Sequence, residues 1–397
     1  MVAHVLCDIL KRRAALTAAS TAALLISCGD SASETTVAET STTDAVETEG
    51  SSAGGETSAG PDASSSATSS SATGETDDAS ETEETEVTEG PAPSVENLLF
   101  QSGFEAEVSV VEIDTDFGDL VGLDSSVEQL GDWELDLEDG APFGEFRFYF
   151  EGGTSDEREV RVIPDPDDPQ NRALEFALRA PNVLVEDDDA VLCNGVGVTE
   201  DRKGRIQAVL RGNVDVRHID YRVRLRLDDG FALIEQSGVK ITWMTLAEFW
   251  NNLANQEFPF RVTLNLHKDD AAPNTPLSWH LHGQTRDGGA WNDVWTHAAG
   301  DVPVPLGSWM ELHVELTEGD ASSGHVRVEL TTDEPATYEI IDRAVATYHP
   351  DDPAPDGFTD FNPLKLYTSG PVLCGLLDAG SELIVRWDDF KIGAAGS

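Results

Sequence analysis

Beyond residue 104 the chain is dominated by short runs in which apolar and polar side chains alternate, each run stopping at Gly, Pro or Asp. The clearest is Tyr221-Arg222-Val223-Arg224-Leu225-Arg226-Leu227, apolar on one face and arginine on the other, closed by Asp228-Asp229-Gly230. Gly144 to Glu151, Glu159 to Ile163, Arg172 to Arg179, Arg205 to Arg211 and Phe260 to His267 read as further strands. So do Leu277 to Gln284, Trp309 to Leu316, His325 to Leu330, Thr337 to Ile341, Lys365 to Tyr367 and Leu383 to Ile392. Leu246 to Leu253 fits a helical turn or a strand equally well. Many short strands, few long helices and no internal repeat predict an all-β fold, an antiparallel β-sandwich or jelly roll.

Two of these strands carry polar faces of unusual chemistry. Residues two apart on a strand share a face. On one strand Arg261, Thr263, Asn265 and His267 therefore stand together, opposite Val262, Leu264 and Leu266. On the other, Ser278, His280, His282 and Gln284 oppose Trp279 and Leu281. If the two strands pair, they tile a patch of Arg, Asn, His and Gln over an apolar core. Planar donors and acceptors of this kind suit sugar hydroxyls, and a solvated sheet face is the plainer alternative. The loop that follows supplies Trp291 and Trp295, which with Trp250 are expected to form an exposed platform for pyranose faces. His280 and His282 also suit a zinc ion, with no third ligand at a fixed spacing. Glu134, Asp136 and Glu138 follow the E-x-D-x-E order of some glucanases. In so acidic a chain that signal is weak.

Composition changes the picture at the front of the chain. From residue 29 to 95 the sequence is nearly all Ser, Thr, Ala, Gly, Asp and Glu without Lys or Arg. Such a stretch cannot bury enough surface to offset its ordering entropy, so residues 28–95 are expected to be a disordered acidic linker before one domain at 96–397. The whole chain carries a formal charge of −50, and about −36 of it remains for 96–397. This repels nucleic acid and anionic membranes and disfavours an anionic polymer unless arginines gather locally. Asp165-Asp167-Asp168, Asp187-Asp188-Asp189 and Asp351-Asp352 offer hard oxygen ligands for a structural calcium, although no cofactor is required and no EF-hand spacing is present.

Lys11-Arg12-Arg13, the apolar run Ala14 to Ile26, and Leu25-Ile26-Ser27-Cys28 resemble a bacterial lipoprotein signal over residues 1–27. The resemblance implies lipidation at Cys28, export to the cell envelope and membrane contact only through the lipid; the protein is expected to be monomeric. Cys193 and Cys374 then remain in the folded part, where an oxidising compartment favours a disulfide over two separate buried thiols.

Three segments carry a second resemblance. Gly307-Ser308-Trp309, Pro363-Leu364-Lys365-Leu366-Tyr367 and the closing Val385-Arg386-Trp387-Asp388-Asp389-Phe390-Lys391-Ile392-Gly393 resemble strands of the concanavalin A-like lectin/glucanase superfamily. Within it, the nearest likeness is to the heparin lyase I and alginate lyase jelly rolls. The resemblance implies a polysaccharide partner. It also implies, for a lyase, His280 or His282 with Tyr367 as base and acid, and Arg205 or Gln207 on the arginine-bearing strand. The expectation is a surface-anchored polysaccharide-binding module. A lyase of uronate glycans acting by β-elimination and a structural or adhesion domain are the alternatives.

Overall fold

The computed structural model describes residues 98–395 except 106, 125–132, 134–141, 183–202, 255, 288–289 and 334–335. The expected signal and linker, Cys28, Cys193, the Glu134-Asp136-Glu138 segment and the Asp187–Asp189 cluster lie outside the described residues.

Among the described residues the alternating runs become seventeen strands in two antiparallel sheets. One sheet is built from β1 (Leu98–Ser102), β5 (Arg158–Pro164), β6 (Arg172–Leu178), β8 (His218–Leu227), β13 (Trp309–Thr317), β14 (His325–Thr332), β15 (Thr337–Ala344) and β17 (Leu383–Ala395). Its order is β15-β14-β13-β8-β17-β6-β5, with β1 also on β17. The other contains β2 (Ser109–Glu112), β3 (Phe117–Val121), β4 (Glu145–Tyr149), β7 (Lys203–Arg211), β9 (Met244–Asn252), β10 (Phe260–His267), β11 (Ser278–Asp287), β12 (Ala290–Ala299) and β16 (Asp360–Ser369). Its order is β12-β11-β10-β9-β16-β7-β4-β3-β2. This two-sheet sandwich is the architecture the superfamily resemblance implied. Among the described residues two short helices, α1 (Asp229–Gln236) and α2 (Gly370–Asp378), interrupt it, and α2 carries the buried Cys374.

Alternation explains the core. From one sheet Tyr221, Val223, Leu225, Leu312 and Trp387 point inward; from the other come Phe148, Ile206, Leu246, Leu264 and Leu366. All are buried, and truncation of such a side chain costs about 2–5 kcal/mol. Trp133 stacks on Phe104 at 5.4 Å and on Phe390 at 5.7 Å. It thereby ties the start of the domain to the closing strand.

The arginine face of β8 turns away from the core and is neutralised by acids. Arg222 meets Glu311 at 3.1 Å, Arg224 meets Asp388 at 3.4 Å, and Arg226 pairs with Asp167. Asp165 accepts from the Asp167 backbone and from the Trp309 indole, so this acidic run is tied into the sheet edge. Leu246 to Leu253, ambiguous from periodicity, lies largely within β9.

Candidate functional site

The polar face of the nine-stranded sheet holds an open groove of about 910 Å³. Its floor follows from register. β10 and β11 do pair, placing Arg261 opposite Gln284, Thr263 opposite His282 and Asn265 opposite His280. Val262, Leu264 and Leu281 are thereby sent into the core. The neighbouring β9 and β16 break the two-residue period. β9 shifts register opposite Leu264/Asn265, and β16 shifts between Phe361 and Leu364. These irregularities let Thr245 and Glu248, and likewise Asn362 and Lys365, face the groove although each pair is three residues apart.

Glu248 is the hub of the floor. Its carboxylate accepts from Lys365 Nζ, from Arg261 Nη1 at 2.7 Å and from Asn362 Nδ2 at 3.1 Å. Arg261 Nε donates to Gln284 Oε1 at 2.9 Å, and Gln284 Nε2 donates to Asp293 Oδ1 at 2.8 Å. The same Asp293 oxygen lies 3.1 Å from His282 Nδ1. One continuous network thus crosses from β16 to β12 and fixes the rotamers of every member. Burial alone raises Glu248, but Lys365, Arg261 and Arg205 outweigh it and hold the carboxyl at about 2. Burial lowers Lys365 to about 8 against the pull of Glu248, so both are charged at neutral pH.

Arg261 also stands over Trp291, its Cζ 3.8 Å from the ring centroid, and Trp291 meets Trp250 edge-on at 5.4 Å. On the other side of β9, Tyr367 sits among cations. Arg205 Cζ is 4.2 Å from its ring centroid, Lys365 Nζ 5.0 Å and Lys203 Nζ 6.0 Å. Trp243 closes against the ring at 4.7 Å. Arg205 is held by Glu151 at 2.5 Å, and Gln207, two residues along, faces the same groove. Further along, burial pushes Asp360 up to about 6 despite Arg211.

Charge in the groove inverts that of the chain. Seven basic side chains line it, from Arg147, Lys203, Arg205 and Arg211 across to Arg261, Arg286 and Lys365. Among the described residues four acids do so: Glu151, Glu248, Asp293 and Asp360. The chain as a whole has 25 Lys and Arg against 75 Asp and Glu, so this clustering runs against composition.

Most expected site residues meet here. Arg261, Asn265, His282, Gln284, Trp250, Trp291 and Tyr367 all line the groove. His267 and His280 stand beside it, their rings stacked at 3.8 Å. Burial, then His280 and His282, lowers His267 to about 3; burial likewise lowers His280. Three strand spacings separate β11 from β16, roughly 14 Å, so the histidines and Tyr367 stand over different parts of a bound chain.

Two expectations about the tryptophans need correction. The segment carrying Trp291 and Trp295 is strand β12 rather than a loop. Trp295 consequently faces away from the groove, packs against the core and donates from Nε1 to the Ala346 carbonyl at 2.8 Å. It covers Gly283, where an added Cβ would stand 2.1 Å from the indole nitrogen. Gly283→Val is therefore expected to lower stability by about 1–3 kcal/mol in urea denaturation. Trp250 is buried rather than exposed, because Trp291 and Arg261 cover it.

The sequence reading missed Glu248, Lys365, Lys203 and Trp243 as site residues. Glu248 and Lys365 follow register shifts, which no two-residue period reveals. A cation and a carboxylate on candidate strands of one sheet were the available signal.

No protein-family model matches the chain, and no curated protein matches it. Among solved structures it is similar to an endo-β-1,4-glucuronan lyase from the fungus Trichoderma reesei, at 15% identity and a TM-score of 0.37, over 60% of this chain and 87% of that one. It is also similar to a marine alginate lyase from Aplysia kurodai, at 10% identity and a TM-score of 0.37, over 73% and 100%. A third is the exoplasmic/lumenal domain of VIP36 in its Ca2+/Man3GlcNAc-bound form, at 10% identity and 0.29, over 50% and 78%.

Proposed function

We propose that the groove binds a uronate-containing polysaccharide and cleaves it by β-elimination at Tyr367. The observation that carries this reading is the gathering of seven basic side chains around Tyr367, Trp291 and the Glu248 network in a strongly acidic chain. Evenly spaced carboxylates on an extended polymer match cations spread along a sheet face. A neutral glycan has no use for them.

The reaction needs three things from the chain: a group to neutralise the uronate carboxylate, a base for the proton beside it, and an acid for the departing oxygen. Arg205, Lys365 and Gln207 line the groove with Tyr367 and would neutralise the carboxylate. Acting as the phenolate, the Tyr367 oxygen takes the C5 proton; the C4–O4 bond breaks as the C4–C5 double bond forms, and Tyr367 is left as the phenol. The same proton then passes to the departing O4, so no co-reactant is consumed. Trp291, stiffened by Arg261, serves as a platform for a neighbouring sugar.

Incubating the full chain with polymannuronate, polyguluronate, polyglucuronate and a neutral glucan tests the reading. New ultraviolet absorbance from unsaturated uronate ends supports cleavage. Gel retardation by a polyuronate without new ends reduces the function to binding. Silence on every polymer removes the substrate class. Because the attraction is ionic, the dissociation constant for a bound polyuronate is expected to rise at least ~10-fold between about 0.1 and 1 M NaCl, as the Debye length falls from about 10 to about 3 Å. Flat salt dependence would contradict it.

Lipidation at Cys28 is proposed with it, holding the domain at the cell envelope. Loss of membrane partitioning in Cys28→Ala tests that anchor.

A further inference from the structure

The polysaccharide reading leaves three histidines without a task. His280 and His282 are two apart on β11 and share a face, while His267 on β10 pairs with Ser278 and so lies diagonal to His280. One ring nitrogen from each of the three lies within 4.8 Å of the other two.

The surroundings of these nitrogens point to a ligand. His267 is more than nine-tenths buried, and its Nε2 has no hydrogen-bond partner among the described residues. His280 Nε2 is buried and equally without one, the nearest carboxylate being Asp269 Oδ1 at 3.7 Å. Leaving a buried polar atom unsatisfied costs about 1–3 kcal/mol, and here two occur side by side. His282 differs in an informative way. Its Nδ1 is engaged by Asp293, which fixes the ring and leaves Nε2 as the atom that carries a lone pair. A carboxylate behind a ligating imidazole is the usual way proteins orient such a ring.

We propose that His267, His280 and His282 bind a divalent metal ion of the zinc class at the β10–β11 end of the groove. Tetrahedral coordination with Zn–N bonds of about 2.0–2.1 Å sets the nitrogens roughly 3.4 Å apart, and because the His267 and His280 rings stack with their planes 7° apart, at least one of them must turn about its Cβ–Cγ bond to aim its in-plane lone pair at the shared ion. An all-imidazole set selects zinc, cobalt, nickel or copper over calcium and magnesium, which take oxygen ligands. Three protein ligands leave a fourth position, and because His282 lines the groove that position lies next to the polymer path. The other histidine–carboxylate cluster, Asp220, His313 and Glu315, is not equivalent. Both His313 nitrogens are occupied there, Nε2 by Asp220 at 2.9 Å and Nδ1 by the Arg222 guanidinium at 2.9 Å.

The test uses the full chain, stripped with chelator and titrated with Co2+ alone in excess Mg2+ that occupies the acidic surface. One Co2+ per chain with the intense visible bands of a four-coordinate ion, displaced by Zn2+, is expected. Asp293→Asn should weaken Co2+ by roughly 10–100-fold, and His282→Ala by more. His267→Gln should abolish the visible bands. Should that buried change fail to fold, the surface-facing His282→Ala still decides. Zn2+ should also raise the melting temperature of the wild type and leave that of His282→Ala unchanged. Absence of the bands, or bands that survive in folded His282→Ala, overturns the proposal. Metal binding is measured without polymer, so neither result depends on the polysaccharide reading.

Discussion

Tyr367→Phe is expected to slow formation of unsaturated uronate ends by roughly 10²–10⁴-fold, the usual contribution of a positioned proton-transfer group. Polymer affinity should stay near its wild-type value. The substitution removes one oxygen and keeps the ring, so the packing on Trp243 and the ring contacts with Arg205 and Lys365 persist, while the hydrogen bond that Arg205 donates to the hydroxyl is lost. An interaction that matters only in the transition state lowers kcat and kcat/KM together. A rise in KM alone would instead make Tyr367 a binding residue. His282→Ala provides the contrast. It stands roughly three strand spacings away, so it should leave the chemical step intact. Loss of kcat in His282→Ala with normal turnover in Tyr367→Phe would move the reaction to the histidine end of the groove.

The sandwich was legible in the sequence because its strands are half-buried. A face that must meet the core enforces a two-residue period, as in Tyr221 to Leu227 and Arg261 to His267, and the period survives whatever stands on the other face. The patch on β10 and β11 was legible for the same reason, since both strands run without a register shift through their contact. The centre of the groove was not. β9 and β16 each shift register there, so Glu248 and Lys365 sit out of phase with the residues that accompany them. Trp295 misled in the opposite sense. Its neighbours on β12 are mostly exposed, and only the missing side chain at Gly283 on the adjacent strand makes room for an indole on the inner face. Net charge misled too, because an average over the chain says nothing about where its few arginines converge. Those on β8, in the other sheet, pair with Glu311, Asp388 and Asp167, whereas Arg205 and Arg211 on β7 and Arg261 on β10 line the groove, Arg205 beside Glu151 and Arg261 beside Glu248.

The second large effect concerns the charges beneath that groove. Glu248→Ala is expected to lower stability by about 3–5 kcal/mol, because it strands Lys365, which is 1% exposed, as a buried charge without its carboxylate and leaves Arg261 facing it. The pH dependence has a definite sign. The Glu248 carboxyl is held at about 2 in the folded chain, below its ordinary value of 4.5. Its contribution is therefore fully present above pH 4.5 and is lost as pH falls from there towards about 2. At about 1.4 kcal/mol per pKa unit the wild type loses on the order of 3 kcal/mol across that window, and Glu248→Ala lacks this part of the slope. Urea denaturation of both proteins at several pH values measures it. A cost below about 1 kcal/mol would mean that water reaches the pair and screens it. The double variant Glu248→Leu/Lys365→Met separates stability from function, since replacing both members of a buried ion pair with apolar groups is often neutral or stabilising. It should recover most of the loss seen in Glu248→Ala. It should still bind polyuronate poorly, because Lys365 is gone and Arg261 has lost the carboxylate that aims it across the groove floor.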